Sequence, residues 1–196
     1  MIASSIPETT PLPVAPTDDE AREAAEIEAA SKGCDEAFRA LVERHQHRIH
    51  RLCFHYLGDE ADAVEACQDT FVRAHRALPR FKPRARFSTW LHRIALNLCR
   101  DRLRRRRRTV PLDGLDLACG QATPDESVIR DADLAKLDRA LASLPARLRE
   151  PVILTCLDGR SHAECAAILK CSERAVEGRL YRARQKLAAW WTREST

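Results

Sequence analysis

The 196-residue sequence has little that would place it in a membrane or among enzymes. No run approaches the ~20 apolar residues that cross a bilayer. The first 21 residues contain no Lys or Arg, whereas a signal peptide begins with positive charge. The six glycines form no phosphate-binding loop, and no catalytic cluster or metal triad is evident. We therefore expect a cytoplasmic chain with no catalytic residues, no cofactor and no direct membrane insertion.

Signals for β-strands are equally scarce. No stretch alternates apolar and polar residues with period two, and the one β-branched run, at residues 152–155, is too isolated to build a sheet. Apolar residues instead recur every three or four positions from residue 35 to 108 and again from about 125 to 191. The sequence predicts an all-α fold made of two small helical domains.

Charge divides the chain into four blocks. Residues 1–30 carry seven acidic side chains and one basic, and residues 31–108 carry 19 basic and nine acidic. Residues 109–133 are acidic again, and residues 134–196 are basic. Because apolar periodicity is weak in the acidic blocks, we predict a disordered acidic leader at 1–30, domains at 31–108 and 131–192, and a flexible acidic linker at 109–130.

The eight cysteines admit three interpretations. A disulfide framework requires an oxidising compartment, which nothing here indicates. A metal or redox sensor is an alternative, since His47, His50 and Cys53 lie three residues apart, but the paired Cys-x-x-Cys spacing of a structural zinc site is missing. We favour thiols packed as small apolar groups, and predict no metal site. The four that fit apolar helix faces are Cys53, Cys67, Cys99 and Cys165.

One amphipathic helix is predicted between Phe87 and Arg108. Its apolar stripe includes Trp90, Leu91 and Ile94, and it continues into a run with seven arginines in nine residues. The stripe favours core packing for Trp90 over a role as a base-stacking platform. The arginines indicate a nucleic-acid backbone as partner.

A helix-turn-helix is predicted near the C-terminus. A short helix at 161–169, a tight turn and a longer helix from 172 have its proportions. The face opposite the apolar stripe presents residues of types found at base edges and phosphates in a major groove: Arg174, Glu177, Gly178, Tyr181, Arg182 and Gln185. The alternative is a solvated basic face on a small bundle.

Several motifs in order resemble the sigma-70 family of transcription initiation factors. Four motifs resemble the second domain of that family: Phe38-Arg39-Ala40-Leu41, Gln68-Asp69-Thr70-Phe71-Val72-Arg73-Ala74, Phe87-Ser88-Thr89-Trp90-Leu91 and Arg93-Ile94-Ala95-Leu96-Asn97. Four more motifs resemble the fourth domain of the family: Leu144-Pro145, Arg149-Glu150, Ser161-His162-Ala163-Glu164 and Val176-Glu177-Gly178-Arg179-Leu180-Tyr181-Arg182. With only these two domains and a short linker, the chain resembles the extracytoplasmic-function (ECF) subgroup.

The resemblance implies an alternative sigma factor, not an enzyme. It implies that 31–108 is sigma region 2, which binds core RNA polymerase and the −10 promoter element, and that 131–192 is sigma region 4, which binds the −35 element. An anti-sigma protein is the expected regulator.

The resemblance also assigns site residues. It implies that the clamp helices of the largest polymerase subunit are bound by Asp62, Gln68 and Asp69, with Phe71 as apolar support. The −10 contacts fall to Arg93, Asn97, Arg100, Arg104 and Arg105. The −35 contacts fall to Arg174, Glu177, Gly178, Tyr181 and Arg182.

Two positions depart from the family pattern on the −35 face. Many relatives carry Lys or Arg where this chain has Glu177, and Ser or Thr where it has Gly178. A carboxylate accepts from cytosine but repels phosphate, so we expect an altered −35 sequence preference.

Two other function classes remain as alternatives. A stand-alone regulator would use the helix-turn-helix to bind duplex promoter tightly without polymerase. A nuclease would need a catalytic constellation, which the sequence does not present.

Overall fold

The computed structural model describes residues 17–82, 85–109 and 128–194, with side chains for 17–82, 85–106 and 136–194. Within these ranges every regular element is helical, which confirms the all-α prediction. We call the first four helices the N-terminal bundle: α1 (Asp18–Ser31), α2 (Asp35–Leu57), α3 (Glu60–Ala77) and α4 (Phe87–Thr109). We call the last four the C-terminal bundle: α5 (Val128–Ser143), α6 (Ala146–Val152), α7 (His162–Leu169) and α8 (Glu173–Glu194).

The core of the N-terminal bundle lies between α2, α3 and α4. The apolar stripe of α2 supplies Leu41, Ile49, Leu52 and Tyr56, all fully buried. Helix α3 contributes mainly small residues, Ala63, Ala66 and Ala74, and small side chains let helix axes approach closely. The stripe of α4 completes the core with Phe87, Leu91, Ala95, Leu98 and Cys99. Trp90 is half-buried and packs against Phe81 and Phe87 with tilted rings, as its place on the stripe predicted.

The expected disorder of the acidic leader is wrong for residues 18–30, which form α1. A capping box starts this helix: the Thr17 hydroxyl accepts from the Glu20 backbone N–H, and the Glu20 carboxylate accepts from the Thr17 backbone N–H. Three acidic residues in the first turn also interact favourably with the helix dipole. The rest of the leader, residues 1–16, lies outside the described residues.

Helix α1 is held by basic residues of α2. The Arg44 guanidinium donates to Asp19 at 2.9 Å and forms an ion pair with Glu26 at 3.0 Å. The His45 ring lies 2.7 Å from the Glu23 carboxylate, and this hydrogen bond holds the pKa of Glu23 below its ordinary value. The acidic side chains of α1 therefore match basic side chains of α2, a contact that the weak apolar periodicity of the leader did not indicate.

Glycine at a left-handed position ends α2. Gly58 has φ of 71°, and its N–H donates to the Phe54 carbonyl. Asp59 then caps α3 by accepting from the Asp62 backbone N–H at 2.8 Å. Gly58 and Asp59 thus form the boundary between α2 and α3.

The C-terminal bundle contains the predicted helix-turn-helix. Ser161 and Glu164 form a capping box at the start of α7, and Lys170, with φ of 52°, ends it. Helix α8 packs on α7 and α6 through Val176, Leu180 and Ala183. The β-branched run is helical: Val152 ends α6, and a single π-turn follows from Ile153 to Leu157.

The two bundles contact each other directly. Helix α4 packs against α7, and α2 packs against α5 and the π-turn. We call this the closed arrangement. The sequence predicted two domains joined by a flexible linker and gave no sign of the contact; residues 110–127 of that linker lie outside the described residues.

We expect Gly58→Ala and Gly178→Ala to change stability in opposite directions. An added Cβ meets no atom within 4 Å at either position, so backbone conformation alone decides the outcome. At left-handed Gly58 the substitution should cost about 1 kcal/mol of unfolding free energy. Within helix α8, at Gly178, it should add about 0.5–1 kcal/mol. Urea denaturation followed by circular dichroism measures both, and shifts of the same sign would contradict the conformational argument.

Candidate nucleic-acid interface

Three of the predicted −10 residues lie on one face of α4 that contacts the C-terminal bundle. Arg93 donates to the Ala167 carbonyl of α7. Arg100 donates from Nε and Nη2 to the two Glu150 carboxylate oxygens, at 2.7 and 2.8 Å, and from Nη1 to the Asn97 side-chain oxygen at 3.0 Å. Asn97 itself is exposed. The structure thus brings these residues together, with both arginines already engaged.

Glu150 is the buried acceptor in the middle of this contact, with a side chain only 5% exposed. Glu150 also accepts a hydrogen bond from the Tyr56 hydroxyl, at 3.1 Å. Burial and the negative charge of Glu150 raise the pKa of Tyr56. The hydrogen bond to Glu150 likewise raises the pKa of Arg100. Neighbouring Arg149 donates to the Tyr56 carbonyl at 2.9 Å, so the hydroxyl and the carbonyl of this α2 residue both bind α6.

A histidine links α4 to the loop before α7. His92 is fully buried; its Nε2 lies 2.9 Å from Asp158 Oδ2 and its Nδ1 lies 2.6 Å from the Ser88 carbonyl oxygen. Arg160 donates to the same Asp158 oxygen at 2.8 Å. Burial raises the pKa of Asp158, but the hydrogen bonds from His92 and Arg160 outweigh it and hold the pKa below its ordinary value.

A second histidine bridges the bundles at the end of α2. His55 Nδ1 lies 3.0 Å from Asp138 Oδ1 of α5, and both side chains are largely buried. We call the polar groups that join the bundles the interbundle interface: Tyr56, His55, His92, Arg93 and Arg100 on one side, and Asp138, Glu150, Asp158 and Ala167 on the other.

The arginine run divides between folding and surface. Arg102 turns toward α3, where it donates to Glu65 and Asp69, each at 2.9 Å. The hydrogen bond to Glu65 is the largest cause of its raised pKa. Arg104 and Arg105 are exposed, and Arg104 pairs with Asp101 of its own helix. The side chains of residues 107 and 108 lie outside the described residues.

The predicted polymerase-docking residues lie on α3. Gln68 is exposed, Asp62 and Asp69 pair with Arg102, and Phe71 is buried as apolar support. An open groove of about 490 Å³ between α2 and α3 is lined by Gln68, Phe71, Val64 and Val72, among others. The two valines are 40% and 48% exposed, which leaves an apolar surface beside the polar contacts.

The five predicted −35 residues share one stripe of α8, on which Gly178 is half-buried and the other four residues are exposed. Residues 174, 177, 178, 181 and 182 are spaced as one helical face, and Tyr181 is 63% exposed. The Glu177 carboxylate is exposed, with His162 of α7 3.8 Å away. No atom lies within 4 Å of where a Cβ would project from Gly178, so the surface has a shallow gap at this position.

The thiols behave as apolar groups. Cys53, Cys67, Cys99 and Cys165 are all buried. Burial raises the pKa of both Cys67 and Cys165 to about 12, so both are uncharged near neutral pH. Within the described ranges, no group of three His, Cys, Asp or Glu side chains could hold a metal ion.

Family models match both bundles. Sigma-70 region 2 matches residues 41–109, and a Sigma-70 region 4 model matches residues 134–187. The RNA polymerase sigma factor CnrH of Cupriavidus metallidurans is 39% identical over 170 residues, covering 82% of this chain and 89% of that protein. The ECF RNA polymerase sigma-E factor of Escherichia coli K12 is 34% identical over 174 residues, covering 82% and 90%.

The chain belongs to the sigma-70 family, in its ECF group. It is an alternative sigma factor that directs RNA polymerase to promoters and is not itself an enzyme.

Solved structures agree with this assignment. CnrH in complex with the cytosolic domain of CnrY has a TM-score of 0.68 and 34% identity, covering 87% of this chain and 97% of that one. The sigma factor RpoE of Bartonella quintana, solved with the anti-sigma factor NepR, shares the fold at a TM-score of 0.61 and 22% identity, covering 79% and 96%. In the part of this sigma factor that the structure describes, no helix is long and apolar enough to span a membrane.

The interbundle interface contains residues that sequence reasoning missed. Glu150 and His92 fall within or beside the family motifs, but nothing local marks either as a partner of the other bundle. Fifty positions separate Arg100 from Glu150. The nearest local signal of this contact is the charged pair Arg149-Glu150 just before the apolar run that starts at Pro151, because a charged residue that becomes buried is almost always paired.

We expect Glu150→Ala to weaken the closed arrangement of this sigma factor. It removes the acceptor of two Arg100 donors and of the Tyr56 hydroxyl, at a cost of about 2 kcal/mol, since hydrogen bonds to charged groups are the stronger ones. Small-angle scattering should show a larger radius of gyration. Glu65→Ala is the matched control, because it removes an exposed carboxylate from an ion pair inside the N-terminal bundle. Equal expansion in both variants would contradict the role of Glu150.

Proposed function

We propose that region 2 spans residues 31–108 and region 4 residues 131–192, joined by a linker at 109–130. In this proposal the sigma factor acts in the cytoplasm, where the exposed face of α3 docks on the clamp helices of the largest polymerase subunit. Gln68 and the Asp62 and Asp69 carboxylates supply polar contacts, and Phe71 supports the helix from beneath. The exposed valines of the α2/α3 groove support this proposal, because an apolar surface beside polar groups is typical of a protein interface.

In the same proposal, the face of α4 that carries Arg93, Asn97 and Arg100 binds the −10 element. Extruding a base costs a few kcal/mol in stacking and pairing, which the protein must return. The Asn97 amide carries both donors and acceptors for a base edge, while Arg93 and Arg100 can pair with phosphate. Arg104 and Arg105 extend the basic surface along the helix. The observation that carries this role is the alignment of an exposed amide with two flanking guanidinium groups on one helix face.

Helix α8 would read the −35 element in the major groove. Tyr181 and Arg182 can contact bases or phosphates, and Arg174 lies near the N-terminal end of the same stripe, where recognition helices contact base edges. Glu177 would accept from the cytosine amino group. The gap at Gly178 leaves room for a base to approach the backbone.

An anti-sigma protein is the regulator we propose. The structure of CnrH with the cytosolic domain of CnrY, from a relative of this fold, gives the precedent. Such a partner would act by favouring the closed arrangement, in which Arg93 and Arg100 are engaged by the C-terminal bundle.

Reconstituted transcription tests the proposal. Purified sigma factor and core polymerase, on a library of promoter fragments, should initiate at a defined subset above the level of core alone. The isolated chain should bind the same fragments weakly, because the −10 contacts need strand separation. Tight duplex binding without core would favour a stand-alone regulator, and no initiation on any fragment would overturn the proposal.

We expect Glu177→Lys to change the preferred −35 sequence while leaving polymerase binding intact. The substitution exchanges a cytosine acceptor for a donor that favours guanine or phosphate, an effect of about 1–3 kcal/mol per base pair. Selection of initiating promoters from a randomised −35 library measures the change. Glu194→Lys makes the same charge change about 25 Å along α8 and should alter affinity without altering preference. An unchanged preference in Glu177→Lys would contradict the assigned reading face.

A further inference from the structure

Arg102, in the C-terminal half of α4, contacts three carboxylates of α3. Its Nη1 lies 2.9 Å from Glu65 Oε2 and 3.6 Å from Asp62 Oδ1, and its Nη2 donates to Asp69 Oδ2 at 2.9 Å. The three acidic residues stand at positions i, i+3 and i+7 of α3, so they share one helix face. Carboxylates at this spacing repel each other, and the rigid fork of one guanidinium holds all three.

The geometry leaves the carboxylates accessible to a partner, but not the arginine. The Arg102 side chain is only 18% exposed, whereas those of Asp62 and Asp69 are 38% and 46% exposed. Arg102 uses one oxygen of each carboxylate, Oδ1 of Asp62 and Oδ2 of Asp69. Because an ionised carboxylate has two oxygens and about four acceptor sites, each keeps acceptors for a further partner.

We propose that Arg102 is a positioning residue for the docking of α3 on core RNA polymerase. It fixes the orientation of the Asp62 and Asp69 carboxylates before polymerase arrives, and it does not contact polymerase itself. A charged side chain that is already ordered reduces the entropy cost of binding. The proposal rests on the docking role proposed above for these two carboxylates. Since Arg102 belongs to α4, the affinity for polymerase then depends on the helix that carries the proposed −10 face.

Masking of the carboxylates is the opposite role that such an arginine could have. A masking cation would lie between the carboxylates and a basic partner, and its removal would strengthen docking. Arg102 is instead the least exposed side chain of the group, beneath Asp62, Glu65 and Asp69. This placement favours positioning, and the two roles predict effects of opposite sign.

Competition binding with the full chain tests the proposal. Each variant displaces dye-labelled wild-type sigma factor from purified core polymerase, and the concentration at half displacement gives its relative affinity. Arg102→Gln should weaken binding about five- to tenfold, because two side chains must then be ordered on binding. Asp69→Asn should also weaken binding, and its effect should be at least about twofold smaller in the Arg102→Gln background, since an unpositioned carboxylate contributes less. A purely structural Arg102 would leave the two effects multiplicative.

Arg44→Gln is the matched control. Arg44 is 23% exposed and likewise holds two carboxylates, Asp19 and Glu26, but these belong to α1. The control should lower the urea midpoint, followed by circular dichroism, yet leave polymerase affinity unchanged. Three results would overturn the proposal: binding by Arg102→Gln that is unchanged or tighter, an equal loss in Arg44→Gln, or an Asp69→Asn effect that does not shrink without Arg102. Wild-type affinity in Asp69→Asn would instead overturn the docking assignment, and this role of Arg102 with it.

Discussion

The closed arrangement depends on the burial of Glu150. A carboxylate removed from water loses its hydration and must recover it from nearby donors, or its burial would oppose folding. Those donors come from the other bundle, as Arg100 and the Tyr56 hydroxyl. Because desolvation offsets most of the attraction in a buried ion pair, such an interface gives a specific geometry with a modest net free energy. That balance suits two bundles that, in the proposed function, separate when the promoter is bound.

In the proposed function, closure and DNA binding compete for the same donors. Glu150 engages Arg100 through two parallel hydrogen bonds, which is also the geometry in which a guanidinium binds phosphate. The Ala167 carbonyl of α7 also occupies Arg93, because its one oxygen accepts from both Nε and Nη2. The C-terminal bundle therefore covers the proposed −10 face with acceptors that occupy its guanidinium groups. This competition does not require the C-terminal bundle to block the DNA sterically. An arginine that is already paired must lose that partner before it can bind a phosphate.

Sequence patterns predicted the features of the fold that depend on residues close together in the chain. The apolar periodicity that begins at residue 35, the stripe of α4 and the helix-turn-helix follow from local patterns, and the structure confirms each. Helix α1 was missed because its stabilisation comes from Arg44 and His45, distant in sequence and basic where the leader is acidic. The interbundle interface was missed for a related reason: its pairs join residues 50 to 94 positions apart, and periodicity carries no information about such partners.

Promoter geometry requires the bundles to separate. By their names, the −10 and −35 elements lie about 25 base pairs apart, which is about 85 Å at 3.4 Å per base pair. In the closed arrangement α4 contacts α7, which packs on α8, so the two reading faces are separated by only about two helix diameters, or roughly 20–25 Å. Residues 110–127 can span up to about 60 Å when extended, and the helices on either side supply further reach. The linker is thus long enough for the two bundles to reach both promoter elements in an open sigma factor. The polar interbundle interface is suited to a closed arrangement that can be released.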